Sequence, residues 1–511
     1  MKLNLTSIQN PSDWRGYSLP DFEVAPMVER TQKEPIWLHM GAGNIFRIFP
    51  AVMQQELLEA GLTDRGITVC ECYDEEIIPT AFIPYDNLTL AVTLKADGTT
   101  DKKIVASMAE AITASSQKER LMEICAAPSL QMISFTITEK GYKVLDPLNR
   151  DSMMGYVTDG LLARYKAGAF PVALVSMDNC SQNGAVLKSA VMSVAEAWVK
   201  EGWAEPGFVE YIDSLAFPWS MIDKITPRPS IEVASMLKDT GYEDGAVVTT
   251  AKGTWISSFV AAEECQYLVI EDDFPNGRPP LEKAGLLFAD KETVERTEKM
   301  KVCTCLNPLH TVLAISGCLL GYKTIAETMG NPHLVALVKE IAYTESMPVV
   351  TDPKIIDPKE FLRDVLEKRF NNPFIGDAPQ RIAMDTSQKI PVRFGETLKL
   401  RRKAGLPEEK LEGIPFFIAL WLRYLMGLND KGELIPVESD PRAEELTAHL
   451  SGLSLGCTGP YNLAPILTDA TIFGIDLYEG EGILGKKVED FFGKLIEGPG
   501  AVTRNLAKMW N

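Results

Sequence analysis

Histidine is scarce in this chain. Only four occur in 511 residues, His39, His310, His333 and His449. No His-Glu-x-x-His pair gathers them and no cysteine pair has a histidine partner at zinc-ligand spacing, so no metal is expected. Cysteine is present nine times, an odd number for a disulfide framework. Most cysteines sit inside apolar runs, as Cys125 and Cys318 do, which suits reduced thiols. The Cys70-x-Cys72 and Cys303-x-Cys305 pairs alternate through strand-like stretches and read as core packing. Positive charge is in deficit: 51 Lys and Arg against 70 Asp and Glu give a net charge of −19. An acidic surface repels nucleic acid and anionic membrane, so neither is an expected partner, although a local basic pocket for an anionic metabolite remains compatible. Long apolar runs are missing too. The opening MKLNLTSIQNPSDW has no apolar leader core, no stretch of 18 apolar residues occurs, and the most apolar helix, Leu309 to Tyr322, is too short to span. A cytoplasmic protein is expected.

What is present begins with alternation. Ile36 to Met40, Ile67 to Cys72, Leu130 to Thr138, Pro171 to Ser176 and Gln266 to Ile270 read as strands. Ile48 to Leu62 and Gly184 to Lys200 have helical period. Strands alternating with helices predict an α/β, Rossmann-type N-terminal domain with a mostly parallel sheet. Beyond about residue 290 helical periods dominate: Pro308 to Met329, His333 to Tyr343, Pro358 to Phe370, Ile414 to Leu428, Pro441 to Leu450 and Val488 to Ile496. The expected division is 1–290, dinucleotide-binding, and 291–511, mainly α-helical and substrate-binding.

Two segments carry chemistry. Gly41-Ala42-Gly43-Asn44-Ile45-Phe46-Arg47 follows an apolar strand and precedes a helix, the setting in which glycines let a backbone approach a pyrophosphate. Glu71 and Asp74, at the end of the next strand, suit ribose hydroxyls and favour NAD over NADP, whose extra phosphate they repel; an ordinary solvated strand end would look the same. Further along, Lys301 precedes Asn307-Pro308-Leu309-His310. Asn307 suits a helix N-cap and Pro308 the first helical position. An amide, an imidazole and a lysine are thereby gathered where a carbonyl can be polarised and a proton moved. Asn179, at another strand end, suits a substrate oxygen, though asparagine there is also a common turn former.

These blocks, taken in order, carry a resemblance. HMGAGNIFR at 39–47, TITEKGY at 136–142, VSMDNCSQNG at 175–184, FPWSMIDKITP at 217–227, VIEDDFPNGRPPLEKAG at 269–285, LNPLH at 306–310 and RIAMDTSQKIPVRF at 381–394 resemble the long-chain polyol-specific dehydrogenases, the mannitol dehydrogenase and fructuronate reductase group. The resemblance implies a metal-independent enzyme using NAD. It implies Lys301 as acid/base, Asn179 and Asn307 holding the reacting oxygen, His310 binding a substrate hydroxyl, and Glu298 passing the proton to solvent. Asp223, Arg381 and Lys389 match residues lining the family's substrate pocket. Gly41, Gly43, Asn44, Phe46, Arg47, Thr138 and Glu139 fall in the blocks that would hold the cofactor, with Glu71 and Asp74 at the end of the second strand beside them. One residue more than the family's usual spacing separates Lys301 from Asn307, so a one-residue bulge is expected ahead of the helix.

Substrates in this group are polyols or sugar acids. Arg228, with Arg381 and Lys389, favours a carboxylate, because arginine forks match carboxylates. The expected reaction is reduction of D-fructuronate to D-mannonate with NADH. Tagaturonate and mannitol are neighbouring alternatives. An epimerase that retains its NAD and a non-catalytic NAD-binding sensor are the readings from other classes. A monomer or small homo-oligomer is expected.

Overall fold

The computed structural model describes residues 1–510, which form two compact units. One comprises Met1–Lys95 and Thr99–Glu295; the other comprises Ala96–Gly98 and the chain from Arg296 onward.

The first unit is built on strands β1 (Trp37–Met40), β2 (Ile67–Glu71), β3 (Thr89–Leu94), β4 (Thr100–Val105), β5 (Met108–Thr113), β6 (Met132–Phe135), β7 (Ala173–Ser176), β8 (Ser220–Asp223), β9 (Val248–Thr249), β10 (Trp255–Ile256), β11 (Phe259–Glu263), β12 (Tyr267–Glu271) and β13 (Leu287–Ala289). Five of them make a wholly parallel sheet in the order β5-β2-β1-β6-β7. Its inner strands are buried along their whole length, which is why they read as near-continuous apolar runs. Side chains still alternate between faces. Trp37, Val69, Met132 and Val175 pack into one apolar cluster. Leu38, Met40, Cys70, Ile133, Phe135 and Leu174 pack into another.

Antiparallel pairs surround this parallel core and were not anticipated. β3 and β4 form a hairpin with β11 alongside β3, while β8 runs antiparallel to β12. The helix expected over Ile48–Leu62 starts earlier and is split into Asn44–Ile48 and Pro50–Glu59. Pro50 has no N–H to extend the first piece, so the helix restarts there.

The second unit is helical. Among the described residues from Arg296 on, the one extended pairing is an isolated bridge, Leu428 with Leu434. The single helix expected over Pro308–Met329 is two, Asn307–Leu320 and Ile325–Met329, because Gly321 takes a left-handed φ of 80° and closes the first. Four segments have the wider π form: Lys301–Cys305, Glu340–Ser346, Val365–Arg369 and Pro391–Gly395. The first of these fuses the helix Lys291–Met300 to Asn307–Leu320, giving a run of 30 residues. This corrects the expectation of a short apolar helix: by length and composition the run could cross a membrane. Its apolar window is 83% buried inside the protein, as a core helix would be.

Candidate functional site

The turn after β1 is shaped by close approach. Gly41 has φ 104°, and a Cβ there would lie 3.0 Å from the Thr136 carbonyl oxygen. Its N–H donates to the Cys70 carbonyl at 2.9 Å. Gly43 differs: a Cβ would meet nothing within 4 Å, so this stretch of backbone borders open space. Nearby, a cavity of about 690 Å³ is lined by Ile45, Thr136, Ile137, Thr138, Glu139, Asp178 and Asn179, among others. It opens at the C-terminal ends of β6 and β7, where parallel sheets receive ligands. Room for a dinucleotide and a turn that leaves its backbone accessible fit the expected cofactor.

The residues assigned to that cofactor are used unequally. Asn44 is half-buried, and Thr138 and Glu139 are exposed at the cavity rim. Phe46 and Arg47 are fully buried. Phe46 stacks on His39 at 4.0 Å between ring centroids. Arg47 donates to the Ser257 carbonyl at 2.9 Å, the Ser258 carbonyl at 3.1 Å and the Thr89 hydroxyl. Burial lowers its pKa to about 10. Both side chains anchor the short helix from within.

Glu71 is also turned inward. Its carboxylate accepts from the backbone N–H groups of Ala42 (2.7 Å), Cys72 (3.1 Å), Tyr73 (2.9 Å) and Asp74 (3.1 Å). It thereby ties the glycine turn to the end of β2. Asp74, 3% exposed, accepts from the hydroxyls of Thr250 (2.6 Å) and Thr254. Both acids are spent on the protein's own backbone and loops.

At the end of β7, Asn179 is exposed on the cavity wall beside buried Asp178, which accepts from the Tyr142 hydroxyl. Asn183 was missed as an organiser. Its buried amide donates to the Ser220 carbonyl (3.1 Å) and accepts from the Ser220 N–H (3.0 Å), joining β7, β8 and the helix Asn183–Lys200. Asp223 ends β8 and is buried. Arg228 is exposed, with its guanidinium stacked 4.3 Å over the Trp255 ring.

In the second unit, Lys301 opens the π turn and is 7% exposed. Its carbonyl receives the Leu306 N–H at 3.1 Å, five residues on. That wider loop accommodates one extra residue in the path from Lys301 to Asn307. Asn307 is not the N-cap expected of it. The cap position is Leu306, with non-helical φ −124° and ψ −66°; the helix begins at Asn307 with Pro308 in its first turn, and no side-chain capping bond forms. The His310 N–H donates to the Leu306 carbonyl at 3.0 Å.

Asn307 is fixed through its carbonyl, which accepts from the Thr311 hydroxyl (2.9 Å) and from Arg393 Nη1 (3.3 Å); Arg393 Nη1 also donates to the Thr311 hydroxyl at 2.5 Å. His310 Nε2 lies 3.7 Å from Asp377 Oδ2, and its ring tilts against Phe370 with centroids 5.4 Å apart. Burial brings the His310 pKa down to about 4; Asp377 opposes the shift, and Arg393, Arg381 and Arg369 add to it. Arg381 donates to Asp377. Lys389 donates to the carbonyls of Ile382 (3.1 Å) and Met384. Its pKa falls to about 8, through burial first and then through Arg393, with Arg381 adding less. Glu298 is half-buried three residues before Lys301. The sequence reading missed Asp377, Arg369 and Arg393. The four-residue spacing of Asp377 and Arg381 was a legible signal of an ion pair; nothing marked Arg369 or Arg393 apart from other arginines.

Residues 35–283 match the family model described as the mannitol dehydrogenase Rossmann domain, and residues 293–491 that of the mannitol dehydrogenase C-terminal domain. The chain is 45% identical to a D-mannonate oxidoreductase of Thermotoga maritima, covering 100% of this chain and 99% of that protein. It is 30% identical to a mannitol 2-dehydrogenase of Neosartorya fischeri, covering 89% of each. Among solved structures, the Pseudomonas fluorescens mannitol 2-dehydrogenase in ternary complex with NAD and D-mannitol superposes with a TM-score of 0.71 at 25% identity, covering 100% of both chains.

Proposed function

The chain belongs to the mannitol dehydrogenase family, and from that membership we propose that it interconverts D-fructuronate and D-mannonate with NAD(H). The observation that carries the choice of substrate is the 45% identity to a D-mannonate oxidoreductase along the whole chain, against 30% to a mannitol 2-dehydrogenase. The cations grouped about His310 support it. Arg369, Arg381 and Arg393 all act on the imidazole, and Arg381 and Arg393 also act on Lys389. A carboxylate placed among them gains charge-assisted hydrogen bonds that a neutral polyol cannot make. Arg381 and Lys389 are the carboxylate ligands in this reading. Arg228, engaged with Trp255, is not needed for it.

In the direction of reduction, Lys301 gives its Nζ proton to the oxygen that becomes a hydroxyl. The Asn307 amide donates to that oxygen as negative charge grows on it. His310, neutral at working pH, hydrogen-bonds a neighbouring hydroxyl. Glu298 returns a proton from solvent to Lys301. Gly43, Asn44, Thr138 and Glu139 would hold the dinucleotide, whose nicotinamide supplies the hydride when bound.

A substrate panel tests this. Purified protein with NADH should turn over fructuronate far faster than fructose, and with NAD should oxidise mannonate far faster than mannitol. Brisk turnover of fructose or mannitol with none of fructuronate would overturn the reading. Preference for tagaturonate would reassign the sugar acid while keeping the class. Absence of net NADH consumption during turnover would point to an epimerase.

A further inference from the structure

We propose that Asp377 is a positioning residue that aims the His310 imidazole and the Arg381 guanidinium at the sugar acid, an inference that rests on the reaction proposed above. Its carboxylate is 13% exposed and its two oxygens are divided: Oδ1 accepts from Arg381, and Oδ2 lies 3.7 Å from His310 Nε2. Its backbone is held as well, since the Asp377 carbonyl accepts from the Ile325 N–H at 2.9 Å.

Each partner needs such a hold for a different reason. The Arg381 side chain is 64% exposed, and a long exposed arginine loses considerable rotamer entropy whenever it is held in one pose. Pairing with Asp377 meets that cost before substrate arrives. His310 needs a defined tautomer. It is faced by Phe370 and Arg369 from the π turn Val365–Arg369 and the residue after it, by Arg381 from the helix Pro379–Ala383, and by Arg393 from the π turn Pro391–Gly395. Asp377 is the anion among these groups. An anion beside Nε2 favours the tautomer with the proton on Nε2, which leaves Nδ1 to accept from a hydroxyl. A single carboxylate thus fixes which nitrogen is the acceptor and where the guanidinium points.

The test uses the full chain carrying Asp377→Asn or Asp377→Glu. Steady-state kinetics with fructuronate are read beside NADH affinity by fluorescence. The His310 tautomer is read from side-chain ¹⁵N shifts, assigned with His310→Gln among the four histidines. The expected result for Asp377→Asn is a KM for the sugar acid raised about tenfold or more, with kcat changed by less than about threefold. NADH affinity should be unchanged and the Nε2–H preference lost. Asp377→Glu should recover part of the KM. An unchanged KM with an unchanged tautomer overturns the proposal. So does a loss in both variants that falls equally on kcat, NADH affinity and thermal stability, the pattern of a merely structural residue. If the wild-type protein reduces no sugar acid, the functional reading fails on its own, and the tautomer measurement still decides whether Asp377 sets His310.

Discussion

Two titrating side chains illustrate what single residues contribute. Lys389 is held at a pKa of about 8 by burial and by Arg393 and Arg381, so its positive charge is present below that pH and lost above it. The KM for the sugar acid should therefore rise as pH passes upward through about 8, while NADH affinity stays flat; kinetics from pH 6.5 to 9.5 check this, and Lys389→Met should abolish the step. His310 and His39 are depressed to about 4 and about 3, burial being the main cause in each. Below the unfolded value of 6.5 the unfolded chain takes up protons that the native chain refuses, so stability falls as pH drops from about 6.5 toward 4. The urea midpoint should be lower at pH 5 than at pH 7 with little change in slope, and His310→Gln should remove part of the difference. Lys301→Ala should lower turnover by about two to four orders of magnitude, the range for losing a positioned acid, with NADH binding nearly intact by fluorescence. At this scale the sequence singled out Lys301, Asn179 and His310 because residue type alone limits the chemistry. It was silent on Asp377, Arg369 and Arg393, whose importance lies in which atoms they face after folding.

At the scale of elements, period served well and punctuation located starts more closely than caps. β1, β2, β6 and β7 were readable because a strand buried on both faces must be apolar throughout. The Asn307-Pro308 pair did mark a helix start, with Pro308 in the first turn, but the cap position is Leu306, one residue before the expected Asn307. Leu306 stands between the π turn Lys301–Cys305 and this helix, its N–H donating to the Lys301 carbonyl and its own carbonyl accepting from the His310 N–H. A π turn replaces a four-residue hydrogen-bond step with a five-residue one and leaves no mark on composition, which is why three of the four gave no sign beforehand. The extra residue between Lys301 and Asn307 was the one hint, and it falls within the first of them. The glycine turn offers a test. Gly41→Ala would place a Cβ 3.0 Å from the Thr136 carbonyl at φ 104°. It should cost about 1–2 kcal/mol for the left-handed backbone alone and weaken NADH binding; denaturant midpoints and fluorescence titration check both.

For the molecule as a whole, binding adds stability only to the state that binds. The cavity at the ends of β6 and β7 belongs to the first unit, so NADH at a hundred times its Kd should stabilise that unit by about 2.7 kcal/mol. Calorimetry would show this as an upward shift of its transition. The division into an α/β half and a helical half was legible because the apolar period changes along the chain, whereas the hairpin β3–β4 and the antiparallel β8–β12 pair needed long-range pairing that no local window reports. The Glu71 carboxylate, with four backbone amides converging on it, has a consequence for redesign. In Rossmann-type proteins, the acid after the second strand is the usual place to begin when converting NAD preference to NADP. In this chain, exchanging Glu71 would unfasten the glycine turn from the strand end before it made room for a phosphate. Asp74, clasped by two threonines, offers no easier substitute, so an engineer would have to work from the exposed neighbour Tyr73 and leave both acids in place.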